Sequence, residues 1–368
     1  MKRFLQLFGR ICNPTVWKGG FEIPIFNIGG LQIHRNKGNK TIYFACCGLI
    51  FLASCSSQPK KIVLQGLAQG SYYAVTYFDE ENRNFQLEID SIFHAVDVSV
   101  NLWLDSSVIS KVNRNEEVTL DNIFIDNFNL AQKAAQLSDG YFDPTISPIV
   151  AAWGFSYQSG DSLTPQLIDS LKQFVDYRKI RIENGKVIKG NPNMTLDFNA
   201  IAQGYTSDLI AAFLESRGIK IYLVDTGGEI MAKGEKPDGK PWIVGIEKPA
   251  ENWNSEQVVQ TRIALRDKGL VTSGSTRKYV ERNGKRYSHC IDPKTGYPVE
   301  HNVLSATVLA ENSVWADALA SICMVMGMEQ SLPLIESMEG VEAYYIFVND
   351  ENELETFATA GFKALIID

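Results

Sequence analysis

Two oxygen-bearing side chains in the C-terminal part of the chain have the spacing of one helix face. Asp317 and Ser321 stand four residues apart in the segment WADALAS. Positions i and i+4 of a helix share a face, so a hard divalent cation could take one oxygen from each side chain. The alternative is that Asp317 only supplies a favourable negative charge to the first turn of a helix. The spacing therefore predicts either a metal-ligating or a helix-stabilising carboxylate.

A histidine beside an Asp-Pro pair is a second candidate for chemistry. His289 lies in SHCIDPKTGYP (288–298) and is one of four histidines in the chain. No His or Cys spacing typical of zinc sites occurs, so a zinc site is not expected. The sequence also has no Walker motif, no G-x-G-x-x-G and no G-x-S-x-G. These absences argue against P-loop, Rossmann and α/β-hydrolase chemistry.

Two segments have the residue types of anion-binding turns. Residues 195–205 (TLDFNAIAQGY) have the pattern of a strand entering a helix, and a helix start offers free N–H groups to a phosphate. Asp197 could accept hydrogen bonds from a heterocycle, or Asp197 or Asn199 could simply cap the helix. Residues 271–277 (VTSGSTR) place small hydroxyl residues before Arg277, which suits a phosphate cradle or an ordinary turn after a strand.

A loop rich in aromatic residues could hold a planar ligand. Residues 140–148 (GYFDPTISP) and the nearby Trp153-Gly154-Phe155 combine prolines and glycines with four aromatic rings. Such rings could stack on a ligand. The alternative is a rigid aromatic loop that closes the core.

These segments must be positioned by a fold that mixes helices and strands without regular alternation. Helical periodicity is present at 85–100, 122–137, 165–175, 201–216, 314–326 and 329–338. Strand patterns occur at 66–78, 219–224, 241–247, 257–265, 269–272, 341–348 and 354–358. Asn184-Gly185 and Asn283-Gly284 mark hairpins. We therefore predict an α+β fold, with mixed or antiparallel sheets in hairpins and meanders and helices packed on them.

The first 55 residues differ chemically from the rest. They carry seven Lys or Arg and one acid, while the remaining residues have a net charge of −14. A basic patch (35–40) and an apolar stretch (41–54) precede Cys55, in the order found in the bacterial lipoprotein box. The apolar stretch is too short to span a bilayer comfortably. The alternative is a buried apolar segment that happens to end in cysteine.

The expected organisation follows from this asymmetry. We predict an export signal at 1–55, whose residues 1–34 reflect a start assigned too early, a polar tether at 56–64 and one functional domain at 65–368. Acylation of Cys55 would anchor the exported protein to a bacterial membrane, facing the periplasm. The domain is large enough for a sizeable core, and its acidity makes nucleic acid an unlikely bulk partner. Whether Cys290 and Cys323 pair does not follow from their positions.

Taken in order, the motifs resemble the ApbE family of bacterial FAD:protein FMN transferases over about residues 65–348. The resemblance rests on QGS (69–71), WLDSSVISKVN (103–113), GYFDPTISP with WGF (140–155), DFNAIAQG (197–204), TSGS (272–275), SHCIDPKTG (288–296) and ADALAS (316–321). It implies an ApbE-like fold, and a lipoprotein agrees with it. Some members have a second Asp where Ala320 stands, and Ser321 replaces the usual Thr, so the implied metal site has one carboxylate fewer.

The resemblance also implies roles for individual residues. Those expected to bind flavin nucleotide are Gln69, Trp103, Tyr141, Phe142, Asp143, Asp197, Gln203 and Ile291. The expected metal ligands are the Ala200 carbonyl, Asp317 and Ser321, and the expected catalytic base is His289. Gln69 and Gln203 stand where the family usually has Met and a charged residue.

The implied reaction is cleavage of the FAD pyrophosphate with Mg²⁺. FMN would pass to a Thr or Ser hydroxyl of an exported acceptor flavoprotein, and AMP would leave. A pyrophosphate needs charge neutralisation and alignment more than covalent catalysis, which suits Mg²⁺. Two alternatives share the substrate: an Mg²⁺-dependent FAD pyrophosphatase and an FAD-binding carrier lipoprotein.

Overall fold

The structure, a computed structural model, describes residues 58–155, 163–249, 258–275, 279–282 and 285–367. The predicted export signal and Cys55 lie outside these residues. The helices are α1 (Gln86–Val100), α2 (Val108–Asn113), α3 (Asn122–Leu137), α4 (Ser147–Trp153), α5 (Pro165–Lys172), α6 (Ala202–Ser216), α7 (Ser313–Met326), α8 (Met328–Glu336) and α9 (Ala360–Lys363).

The strands form one large sheet and several small ones. In chain order they are β1 (Lys60–Ala68), β2 (Ser71–Asp79), β3 (Ile180–Glu183), β4 (Lys186–Lys189), β5 (Tyr222–Thr226), β6 (Glu229–Lys233), β7 (Trp242–Glu247), β8 (Val259–Leu265), β9 (Gly269–Gly274), β10 (Tyr279–Arg282), β11 (Lys285–Ser288), β12 (Ile291–Asp292), β13 (Tyr297–Pro298), β14 (Val303–Ala310), β15 (Glu342–Val348), β16 (Leu354–Ala358) and β17 (Ile366–Ile367).

The large sheet has eight strands in the order β1-β2-β5-β6-β9-β14-β15-β16, and each neighbouring pair is antiparallel. The connection from β2 to β5 passes through the first six helices and the β3–β4 hairpin. A second sheet has the order β17-β8-β7. Strands β10 and β11 pair as predicted, and Asn283-Gly284 between them lies outside the described residues.

Strand β15 shows how the layers are arranged. Ala343 and Tyr345 point into a core shared with α3, α6 and α7, whereas Tyr344 and Ile346 point into a core formed with β7, β8 and α9. This alternation is that of a strand buried on both faces. The large sheet is therefore covered by helices on one face and by the three-stranded sheet on the other, which confirms the α+β prediction.

The N-terminal strand prediction is wrong in one respect. Residues 66–78 do not form one strand, because a turn at Gln69 and Gly70 divides them between β1 and β2, with φ of +51° and +74°. Two positive φ values at a two-residue loop suit the twist of a β-hairpin. Strand β1 begins at Lys60, so residues 60–64 pair with β2 and are not part of a polar tether.

The six predicted helices and the other strand patterns are present, with ends shifted by a few residues. The exception is the start of the 195–205 segment, which was predicted as a strand entering a helix and forms no strand. In the described part of the chain, no helix is long and apolar enough to cross a bilayer.

Candidate functional site

The starts of α6 and α7 face each other at the centre of the helical layer. Gly204 lies in the first turn of α6, and a Cβ placed on it would lie 2.7 Å from the Ser313 carbonyl oxygen and 2.9 Å from the Asp317 Cβ. Glycine is therefore required for this approach of the two helices. The contact brings the DFNAIAQG and ADALAS motifs to one place.

Asp317 reaches across this contact to the start of α6. Its Oδ2 accepts the Gly204 N–H at 3.2 Å, which in a regular helix would donate to the Ala200 carbonyl. In the described part of the chain, neither the Ala200 carbonyl nor Asp317 Oδ1 accepts a hydrogen bond. Ser321 follows Asp317 by one turn on the same face of α7. These oxygen atoms fit a hard cation that keeps few protein ligands.

The electrostatics of Asp317 favour an added cation. Its side chain is buried, and burial together with the negative charges of Glu229 and Asp208 raises its pKa well above the ordinary value. Within the described ranges, no three His, Cys, Asp or Glu side chains converge as a metal centre. A cation at Asp317 would thus depend on backbone and hydroxyl oxygens as well.

The alternative role for Asp317 at the start of its own helix is wrong. Helix α7 begins at Ser313, so Asp317 lies in the second turn. The first-turn amides are held by other groups. Asn312 accepts the Trp315 N–H, and the carboxylate of Asp208 in α6 accepts those of Ser313 and Val314, each at 2.9 Å.

Asp197 forms a turn before α6 and does not cap the helix. Its Oδ1 accepts the Asn199 N–H at 2.8 Å, while α6 begins at Ala202 without a side-chain cap. The Asp197 N–H donates to the Pro144 carbonyl at 2.8 Å. The capping alternatives for Asp197 and Asn199 are therefore wrong, and the aromatic loop is fastened directly to this turn.

The turn between β1 and β2 packs beside the start of α6. Gln69 Nε2 donates to Thr206 Oγ1 at 3.1 Å, and Gln69 Oε1 is buried with no hydrogen-bond partner in the described part of the chain. A Cβ placed on Gly227 would lie 2.7 Å from Ser71 Oγ and 3.1 Å from Gln203 Nε2. Gln69 thus contacts α6, which carries Gln203 in its first turn, and retains an unused acceptor among the described residues.

The aromatic loop contributes mostly buried side chains. Phe142 and Asp143 are 7% and 8% exposed. Asp143 Oδ1 accepts the Thr145 N–H and hydroxyl, and Oδ2 accepts the Tyr177 N–H at 2.9 Å. Burial raises the pKa of Asp143. Its carboxylate is therefore used within the loop.

Tyr141 is a partly exposed ring of this loop. Its hydroxyl donates to Gln330 Oε1 at 2.9 Å, and the Lys294 ammonium lies 3.8 Å from its ring centroid. Tyr141 lines a groove of about 470 Å³ together with Tyr287 and Tyr297. A groove with several aromatic rings and few charges suits a planar ligand.

His289 lies between β11 and β12, close to the other end of the aromatic loop. Its ring centroid is 6.2 Å from that of Phe155. Ile291 in β12 is 5% exposed and packs in the core with Trp153. Strand β12 lies beside α7, which carries Asp317. Trp103, in the turn after α1, is 62% exposed and presents its ring to solvent.

The segment at 271–277 is only partly described. Thr272 lies in β9 and its hydroxyl is 2.8 Å from that of Thr307. Ser275 Oγ donates to the Leu304 carbonyl at 3.2 Å. These two hydroxyls have partners in the sheet, and Arg277 lies outside the described residues. Cys290 and Cys323 are free thiols, and burial raises the pKa of each to about 11.

Sequence reasoning missed three residues that organise the site. Asn113 binds the backbone of Leu196 just before Asp197, Asp208 binds the start of α7, and Gln330 binds Tyr141. Of these three residues, only Asp208 could have been singled out from the sequence, because it lies one helical turn after Gly204 on the same helix face.

Known proteins share this fold and these segments. Residues 69–345 match the ApbE family. An FAD:protein FMN transferase of Haemophilus influenzae is 34% identical over 329 residues, which cover 85% of this chain and 94% of that protein. One from Vibrio cholerae is 30% identical over 331 residues, which cover 88% and 98%.

Solved structures agree with the sequence relatives. The flavin transferase ApbE from Vibrio cholerae matches with a TM-score of 0.74 at 29% identity, over 83% of this chain and 99% of that chain. The apo form of flavinyl transferase ApbE from Pseudomonas stutzeri has the same TM-score and identity, over 84% and 97%. The fold is thus that of a class of flavin transferases with known structures. The chain belongs to the ApbE family, as its motifs indicated.

Proposed function

We propose that this protein is an Mg²⁺-dependent FAD:protein FMN transferase. It would transfer FMN from FAD to a Thr or Ser hydroxyl of an exported acceptor flavoprotein and release AMP. The observation that carries the proposal is the Asp317 carboxylate of α7, which accepts the Gly204 N–H in the first turn of α6, four residues after Ala200. The family relatives named FAD:protein FMN transferase support the choice of reaction.

The metal would be held by Asp317, Ser321 and the Ala200 carbonyl. Bound Mg²⁺ would supply charge neutralisation and alignment to the pyrophosphate. The protein contributes a buried, fixed setting for the ligands: Gly204 allows the helices to approach, and its N–H orients the Asp317 carboxylate.

FAD would be held on both sides of this centre. The buried acceptor Gln69 Oε1 would take a hydrogen bond from a donor on the nucleotide, since a buried polar atom without a partner is costly. Tyr141 would contact a ring of FAD in its aromatic groove. Phe142, Asp143, Asp197, Gln203, Trp103 and Ile291 complete the proposed nucleotide contacts, those with buried side chains through their backbone.

His289 would act as the general base. It would remove the proton from the acceptor hydroxyl, whose oxygen forms a bond to the phosphorus of the FMN moiety. The bond from this phosphorus to the bridging oxygen of the pyrophosphate breaks, and AMP leaves with that oxygen. The proton remains on the imidazole until the site reopens to solvent.

One incubation tests the reaction. The domain is mixed with FAD, MgCl2 and an acceptor domain that carries a Ser/Thr flavinylation motif, and intact mass is measured. We expect an adduct with the mass of FMN, absent when the acceptor hydroxyl is replaced by Ala. Free FMN without an adduct would instead support an FAD pyrophosphatase. Bound, intact FAD would support a carrier lipoprotein.

The lipid anchor and the periplasmic location are part of the proposal. The order of basic patch, apolar stretch and Cys55 supports acylation at that residue. We expect a mature chain that begins at Cys55, labels with an alkyne fatty acid and fractionates with membranes. Cys55→Ser should abolish labelling, while Cys47→Ser is the matched control. A mature chain that retains residues before Cys55 would contradict both the anchor and the proposal that the start was assigned too early.

A further inference from the structure

Asp208 has a role that lies beyond the metal ligands and nucleotide contacts of the proposed function. It is partly buried in the second turn of α6, and its two carboxylate oxygens accept the N–H groups of Ser313 and Val314 at 2.9 Å each. These amides open α7, where a carboxylate is stabilised by the helix dipole. One side chain of α6 therefore fixes the position of the α7 start.

Asp317 makes the reverse connection. Its carboxylate in α7 accepts the Gly204 N–H in the first turn of α6. The two helices are thus joined by two opposed carboxylate–amide links on either side of the Gly204 contact. Two links of opposite direction fix both the spacing and the relative rotation of the helix starts.

The two groups proposed to hold the metal are on opposite sides of this junction. The Ala200 carbonyl precedes α6, and Asp317 belongs to α7. Their separation is therefore set by how the helices meet, not by either helix alone. A cation bound to Asp317 would compete with the Gly204 N–H for the Asp317 carboxylate. The hydrogen bonds from α7 to the Asp208 carboxylate involve no proposed metal ligand, so a cation would not compete with them.

We propose that Asp208 is a positioning residue for the metal site: by holding the α7 start against α6, it sets the distance between the Ala200 carbonyl and Asp317. This inference rests on the proposed function. Outer residues that orient metal ligands commonly change metal affinity by about 10- to 100-fold when altered. Asp208 would act in this way through the backbone of α7.

The test compares Asp208→Asn with a matched capping variant. Asp121→Asn removes another helix-capping carboxylate, one that accepts the Phe124 N–H at 2.8 Å in α3. The concentration of MgCl2 that gives half of the maximal thermal stabilisation of the FAD-saturated protein is measured, together with the KM for FAD at saturating MgCl2. For Asp208→Asn we expect the MgCl2 midpoint to rise about tenfold. The KM for FAD should stay within about threefold.

The outcomes separate the possibilities. Asp121→Asn removes a capping charge while its amide oxygen can still accept the Phe124 N–H, and it should leave the MgCl2 midpoint unchanged. An unchanged midpoint in Asp208→Asn would overturn the inference. If that variant does not fold, Asp208→Glu keeps the charge and lengthens the link by one methylene. It should also raise the midpoint, and a wild-type midpoint would again overturn the inference. If the wild-type protein itself shows no response to MgCl2, the proposed function fails instead.

Discussion

The side-chain amide of Asn113 pairs with the backbone of Leu196 in both directions. Asn113 Nδ2 donates to the Leu196 carbonyl at 2.8 Å, and Asn113 Oδ1 accepts the Leu196 N–H at 2.7 Å. The amide thus satisfies both backbone groups of the residue before Asp197. Lys189 holds the helix end that carries Asn113, since its ammonium donates to the Val112 carbonyl at 2.8 Å. The WLDSSVISKVN motif therefore supports the DFNAIAQG motif.

Asn113→Ala should weaken both stability and FAD binding. It leaves a partly buried N–H and carbonyl of Leu196 without partners, which costs about 1–3 kcal/mol each if water does not replace Asn113. We expect a lower free energy of unfolding and a KM for FAD raised several-fold, measured by urea titration and by steady-state transfer. Asn115→Ala is the control, because Asn115 donates to the Pro192 carbonyl and makes no hydrogen bond to Leu196. Equal KM values in the two variants would contradict the supporting role.

Asp317→Asn should separate stability from activity. The isosteric amide can still accept the Gly204 N–H, while it removes a charge that burial, Glu229 and Asp208 all disfavour. We expect an unfolding temperature equal to or above that of the wild type in the absence of Mg²⁺. Transfer that depends on Mg²⁺ should fall at least about 100-fold. Full activity would remove Asp317 from the metal site.

His289→Ala should slow transfer without loss of FAD. Removal of a general base commonly costs about 10²- to 10⁴-fold in rate. The rate of adduct formation and the Kd for FAD, from flavin fluorescence, are measured in parallel. His94→Ala is the control, since His94 is exposed on α1. A wild-type transfer rate in His289→Ala would mean that another group accepts the proton.

The pH dependence of folding stability can be tested at Asp79, which is not one of the proposed site residues. Hydrogen bonds from Arg83 lower the pKa of this buried carboxyl from 3.8 to about 2. A lowered folded-state pKa stabilises the fold above pH 3.8, and the contribution is lost as pH falls through about 2. Asp79→Asn should therefore cost about 2 kcal/mol at pH 7 in urea titrations, and the difference should narrow below pH 4.

The control for the pH test is an exposed ion pair. Glu116 pairs with Arg114 at 2.7 Å on the surface. Glu116→Gln should change the unfolding free energy little at any pH, since exposed pairs are screened by solvent. A cost in Asp79→Asn that does not depend on pH would show that packing, not charge, stabilises Asp79.

Local patterns predicted what lies within one element. The i, i+4 spacing placed Asp317 and Ser321 on one helix face, and the helical periodicity at 201–216 located α6 within one residue. The turn at Gln69 was not predicted, because glutamine rarely adopts positive φ and both flanks have strand composition.

Contacts between distant segments were not predictable in the same way. Asn113 with Leu196 and Asp208 with Ser313 join residues whose proximity depends on the packing of whole helices. The family resemblance supplied the remaining site residues, but not the direction of their side chains. Asp143 illustrates this, because its carboxylate is used within the loop.

The order of the large sheet also constrains how the chain can assemble. The β1–β2 hairpin precedes the other strands in the sequence. Strand β2 is joined to the rest of the large sheet only through β5, where Tyr77 pairs with Tyr222. An isolated two-stranded hairpin is marginal in water. The segment between β2 and β5 is long, so pairing of these strands closes a long loop, and the entropic cost of that closure slows folding. We therefore expect the N-terminal hairpin to gain its protection from hydrogen exchange late, after β5 and the helix pair are in place, and a chain truncated before β5 to leave it unprotected.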